Sequence, residues 1–168
     1  MTTASTTTRT RTVPLQLVIG VVLVIVAWSL AWGGPAPWSH YTFFPLWLGY
    51  ILTVDGLTVL RAGTSLLTRD IRRFALLFAF SIPLWWVFEF ANRFLGNWNY
   101  LTPIDYSPLA YFLLASLAFS TVMPAIFVTA TFWRTFPPFN REIRWIRIDP
   151  SPAGLVGIGL LRLAMFAG

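Results

Sequence analysis

The chain has 168 residues, of which 57% are hydrophobic and only 11% charged, whereas a soluble domain carries roughly 25% charged residues. With a mean hydropathy of +0.68, its long uncharged stretches must be buried in lipid or against other helices. This excludes a soluble domain and predicts an all-α, polytopic transmembrane bundle. Cysteine is absent, which removes disulfides, thiol nucleophiles and thiolate metal sites together.

The first residues, "MTTASTTTRTR", form a polar, low-complexity tail that buries too little to fold. Residues 1–12 are thus expected to be a disordered cytoplasmic tail, and 13–168 the transmembrane domain. Apolar segments then follow at about 15–32, 41–60, 74–95, 108–133 and 153–168. A crossing helix needs about 20 residues, so the first four are clear spans. The fifth is partial, and its end without a polar tail suggests a fragment of a longer chain. A re-entrant or tucked segment is the other reading. Segment one could pass for a signal peptide with "SLA" at 29–31, but its apolar run exceeds the roughly 7–15 residues of a signal core. It reads as a retained anchor.

Ten of the twelve arginines fall on alternate connections: Arg9 and Arg11, then Arg61, Arg69, Arg72 and Arg73, then Arg134, Arg141, Arg144 and Arg147. The connections "GGPAPWSH" and "GNWNYLTPIDYS" carry none. This alternation is the positive-inside pattern, placing the N-terminus in the cytoplasm and residues 38–40 and 96–107 outside, in a cell membrane of bacterial type. The net charge of +6 then belongs to a face that meets anionic membrane lipid, and nucleic acid drops out as a partner. The stretch "RTFPPFNREIRWIRIDPSP" at 134–152 has the composition of an interfacial segment; a docking loop is the alternative.

Ionisable groups inside a span cost about 2.5–3.5 kcal/mol at its centre and point to function. Asp55, Glu89, Arg93 and Arg162 qualify. Asp55 lies near the cytoplasmic boundary, where capping or salt-bridging the 61–73 connection is the expectation. Arg162, in the partial segment, needs an acidic partner or a headgroup. Glu89 lies about 9 Å below the other boundary at 1.5 Å per residue. Trp85, Glu89, Asn92, Arg93 and Gly96 recur at helical offsets and make one polar-aromatic stripe that must face helices or a wet cavity. Pro83, upstream on the same helix, predicts a kink. Glu89 and Arg93 have the spacing and order of a self-neutralising pair. The sharper alternatives are that Glu89 is a desolvated general acid or that the stripe binds a ligand without chemistry.

His40 is the one histidine and reads as a solvated loop residue, leaving neither a metal site nor an implied cofactor. Trp32, Trp38, Tyr41, Trp98, Tyr100 and Tyr106 suit one interfacial aromatic belt, and Trp133 and Trp145 the other. Trp85 and Trp86 lie deeper and flank Glu89.

An acidic residue near a helix end followed by Gly-x-Trp-x-Tyr, here Glu89 with Gly96, Trp98 and Tyr100, resembles the polytopic lycopene cyclases and carotenoid hydratases. The resemblance covers residues 89–100. It implies protonation of an isoprenoid or carotenoid-type double bond by Glu89, with Trp85, Trp86 and Trp98 stabilising the carbocation. Substrate contacts would involve Trp85, Trp86, Asn92, Arg93, Trp98 and Tyr100. The family's Pro-x-Glu-Glu element is replaced by "MPAIF" at 123–127, so a second carboxylate is missing. The competing reading is a non-catalytic membrane subunit or scaffold packed against a partner's helices. Transport is a third class, but no internal repeat or pair of broken helices supports it.

Overall fold

The computed structural model describes residues 12–100 and 105–140. The polar tail, the partial segment with Arg162, and Trp145 lie outside these residues. The fold is all-helical, with four helical stretches long and apolar enough to cross a membrane. They are α1 (Leu15–Gly33), α2 (Phe43–Ala62), α4 (Ile71–Leu95) and the stretch Pro108–Trp133. The short α3 (Leu66–Arg69) joins α2 to α4. The fourth stretch comprises two helices, α5 (Pro108–Phe119) and α6 (Val122–Trp133).

Close backbone approach holds α1 against α2. A Cβ on Gly20 would lie 2.5 Å from the Thr53 nitrogen, and one on Gly49 2.8 Å from the Val24 nitrogen. A Cβ on Gly56 would meet the Leu17 side chain. As the contact on α1 advances from Leu17 to Val24, its partner on α2 retreats from Gly56 to Gly49, so the two helices run antiparallel. Lipid gives helices no hydrophobic incentive to associate, and small residues that admit close van der Waals contact supply the attraction instead.

The buried centre lies among α2, α4 and α6, where Ile51, Val54, Phe74, Ala125 and Val128 pack together. Tyr50 and Thr129 add a hydroxyl–hydroxyl bond of 2.8 Å between α2 and α6. Many aliphatic and aromatic side chains on α1 and α4 point outward, among them Val22, Ile25, Phe80 and Val87. In a membrane protein such a surface is what the hydrocarbon requires.

Asp55 is 1% exposed. Its carboxylate accepts from the Ser65 hydroxyl at 2.6 Å and from the Leu67 backbone N–H at 3.2 Å. Ser65 in turn caps α3 in a reciprocal capping box with Thr68. Of the two roles expected for Asp55, the structure has the capping one, directed at α3 rather than at an arginine. Asp70 does the same for α4, accepting from the backbone of Arg72 and Arg73 and pairing with the Arg73 side chain at 3.2 Å. At this end Arg61 reaches Thr135 at 2.8 Å and lies 3.7 Å over the Phe136 ring. The α2–α4 connection and the segment after α6 therefore share one end of the bundle.

The helix α4 runs through Pro83 without interruption; the proline's missing N–H frees the Ala79 carbonyl. The larger irregularity is the junction of α5 and α6 at Ser120 and Thr121, both buried. In lipid the released carbonyls must be satisfied. Ser120 donates to the Leu117 carbonyl at 2.6 Å and Thr121 to that of Ala118 at 2.7 Å. From α4, the Ser81 hydroxyl donates to the Phe119 carbonyl and accepts the Met123 N–H. One serine thus bridges the break from outside.

Candidate functional site

At the end away from the arginine-rich connections, α4 stops at Gly96, whose φ of 62° is the left-handed conformation that glycine accepts without strain. The chain then folds back over its own helix. Asn92 holds this return by both faces of its amide. Its Nδ2 donates to the Trp98 carbonyl at 2.8 Å, and its Oδ1 accepts the Trp98 N–H at 3.2 Å. So placed, Trp98 donates from Nε1 to Glu89 Oε1 at 3.1 Å, and the Tyr100 hydroxyl donates to the same oxygen at 2.6 Å.

The residues that carry the sequence resemblance, Glu89, Gly96, Trp98 and Tyr100, therefore form one hydrogen-bonded unit. Arg93 does not belong to it. Among the described residues Glu89 and Arg93 make no ion pair within 4.0 Å, and Arg93 is exposed. The self-neutralising pair expected from their spacing is replaced by an indole and a phenol. The cause is local: the glycine-directed turn returns two donors to Glu89, while Arg93 stays exposed and its charge, like that of Glu89, reaches Tyr111.

Beside this unit lies a cavity of about 640 Å³, within the range of small-molecule sites. It is bounded by the connection before α2, the start of α2, Trp85 of α4, the inner side of α5 and the start of α6. Its deep wall is apolar, with Leu114, Ala118, Phe119 and Val122, while its mouth carries His40, Tyr41, Tyr100, Tyr106 and Tyr111. Tyr111 to Phe119 spans about 12 Å of helix at 1.5 Å per residue, so the lining supplied by α5 runs from its first turn to the helix break, with Val122 beyond it. Glu89 does not itself line the cavity. Tyr100 does, and couples it to the carboxyl group.

Burial and the hydrogen bond to Glu89 both push the Tyr100 phenol above the usual tyrosine range. In an apolar setting the neutral phenol is favoured, and a neighbouring carboxylate adds to that preference.

The other expected contacts divide between two faces. Trp85 lines the cavity and packs on Phe119, with ring centroids 6.0 Å apart. Trp86 looks away. It stacks on Phe112 at 5.2 Å, donates to Ser116 at 3.0 Å and lines a separate shallow apolar groove with Pro83 and Phe90. Its neighbour across the partition is again Phe119, at 5.3 Å. Asn92 and Trp98 position Glu89 and are not part of the lining.

His40 departs from the expected solvated loop residue. It is half-buried, lines the cavity, and its Nδ1 is buried without a hydrogen-bond partner among the described residues. The tyrosines at 41, 106 and 111 also reach the cavity; the aromatic-belt expectation places the first two at the lipid interface and leaves out the third. Their common signal is position: each lies at the arginine-free end, on a segment adjoining the one that carries Glu89. Comparison with family models, with curated proteins and with solved structures finds no match to the chain.

Proposed function

We propose that this multi-pass protein takes up an isoprenoid-type lipid in the aromatic cavity and modifies it by acid catalysis, with Glu89 as the proton source. The 2.6 Å contact between Glu89 and the cavity-lining Tyr100 carries the reading. A hydroxyl rotates about its C–O bond, so the same contact serves with Tyr100 donating to Glu89 or with a protonated Glu89 donating to Tyr100. In the second arrangement the phenol hydrogen turns into the cavity.

The step then balances without an oxidant. Tyr100 gives its proton to one carbon of a ligand double bond, whose π pair forms the new C–H bond. Tyr100 simultaneously receives the proton of Glu89. The adjacent carbon becomes a tertiary carbocation, which Trp85 and Phe119 can stabilise through their ring faces. Loss of a neighbouring proton back to the Tyr100–Glu89 unit closes the cycle, and the net result is isomerisation or ring closure. The deep apolar wall favours the hydrocarbon chain and keeps out the water that would consume the cation. With the N-terminus cytoplasmic, the cavity opens toward the outer leaflet of the cell membrane.

Expression in a host that accumulates linear carotenoid or polyprenyl precursors, with chromatography of the extracted lipids, tests the reading. Glu89→Gln keeps an acceptor for Trp98 and Tyr100 but has no proton to give, and should lower product by about 10²–10⁴-fold, the usual worth of a general acid. Tyr100→Phe should lose product comparably. Unchanged lipids with well-expressed wild-type protein, or full product from Glu89→Gln, would sink the catalytic assignment.

A further inference from the structure

The mouth of the cavity holds an unusual set of polar groups. His40 Nδ1 is buried and unpartnered, and the hydroxyls of Tyr41, Tyr106 and Tyr111 make no hydrogen bond among the described residues. All four can meet an oxygen atom, as donor or as acceptor. Among the described residues no arginine lines the space, and the chain has no lysine. Arg93 is exposed and outside the lining; its charge reaches Tyr111, where the opposite charge of Glu89 acts more strongly. The acidic group Glu89 lies directly behind Tyr100.

We infer that the cavity selects lipids with a neutral, oxygen-bearing head, an alcohol or a carbonyl, and rejects the phosphorylated forms of the same chains. This deepens the isoprenoid reading above and rests on it for the identity of the chain. The physical argument is one of compensation. A phosphate or diphosphate entering this mouth leaves water and meets phenols, an imidazole and a carboxyl group; no cation is among the described lining residues, and the charge of Arg93 is outweighed there by that of Glu89. A hydroxyl or carbonyl loses far less hydration and finds several partners of suitable character. The tail then lies along α5 toward Phe119 and the helix break.

Binding to purified protein in lipid nanodiscs, read by quenching of tryptophan fluorescence and by thermal shift, separates the possibilities. Geranylgeraniol, geranylgeranyl diphosphate and the corresponding hydrocarbon share one chain; octadecanol and octadecane repeat the comparison on a saturated one. Each alcohol should bind about tenfold more tightly than its hydrocarbon, the yield of one or two neutral hydrogen bonds, and the diphosphate should bind most weakly. His40→Phe and Tyr106→Phe, which keep ring volume, should shrink the alcohol preference while leaving hydrocarbon binding in place. Equal or tighter binding of the diphosphate overturns the inference, as does an undiminished alcohol preference in both variants. If octadecanol and geranylgeraniol bind alike, the head selectivity stands and the isoprenoid reading fails. If none of the five probes binds, the cavity is not a lipid site and both fall.

Discussion

Two carboxylates inside the helical stretches illustrate how surroundings assign a role to the same chemical group. Asp55 spends its acceptor capacity on a serine hydroxyl and a backbone N–H, so it fastens the α2–α3 turn. Glu89 has two side-chain donors on one oxygen, and one of these donors opens onto a 640 Å³ space. Tyr100 is the residue where this difference can be measured. Desolvation and the Glu89 contact raise its pKa in the folded protein, while in the unfolded chain it titrates near 10. The folded state therefore holds this proton more tightly than the unfolded one. The resulting stabilisation is complete below the unfolded value and is lost as pH rises from there through the folded value. Tyrosinate absorbance of the wild type minus that of Tyr100→Phe should give a single phenol ionising later than free tyrosine. A normal or early transition would mean that the loop does not rest on Glu89 in solution.

At the scale of the helix, the break between α5 and α6 is what gives the cavity its floor, since Phe119 and Val122 on either side of it both line the space. It is held by hydroxyls in place of backbone bonds. Ser81 contributes most because it serves an acceptor and a donor at once, from a different helix. Ser120, by contrast, bonds only to the carbonyl three residues before it. Leaving a buried polar group unsatisfied costs about 1–3 kcal/mol, so Ser81→Ala should lower thermal stability in detergent more than Ser120→Ala. Equal losses would indicate that α4 does not brace the junction. This feature was not legible in the sequence. Residues 108–133 read as one continuous apolar run, and hydropathy is blind to where helical hydrogen bonds stop. The available signals were "ST" at 120–121 and Pro124, each common enough in membrane helices to pass unnoticed. The polar stripe on α4 was legible because helical spacing dictates it. Its partners were not, because Glu89 has Arg93 one turn away and nothing in that spacing says that a glycine turn will bring Trp98 and Tyr100 closer. Trp85 and Trp86 show the same limit: adjacent residues on a helix point about 100° apart at 3.6 residues per turn, so only one could enter the cavity.

For the molecule as a whole, the four membrane-crossing stretches and their order followed from composition, because a bilayer permits few solutions for a chain this apolar. Charge then divided the connections into two classes, and the fold brings each class together. Arg61 touches the segment after α6, while His40, Tyr100 and Tyr106 surround one cavity mouth. That grouping gives the bundle two chemically different ends but not their orientation in a cell. The positive-inside rule predicts an orientation, and the orientation decides which leaflet could deliver a ligand to the cavity. A chain without cysteine allows a direct measurement with single introduced thiols. Thr64 follows the turn after α2 and Asn97 the turn after α4, and both are exposed. In intact cells an impermeant thiol reagent should label Asn97→Cys and spare Thr64→Cys until the membrane is permeabilised. The reverse pattern would place the arginines outside and the cavity mouth toward the cytoplasm. A lipid substrate would then have to arrive from the inner leaflet, so the labelling result also fixes which side must supply it.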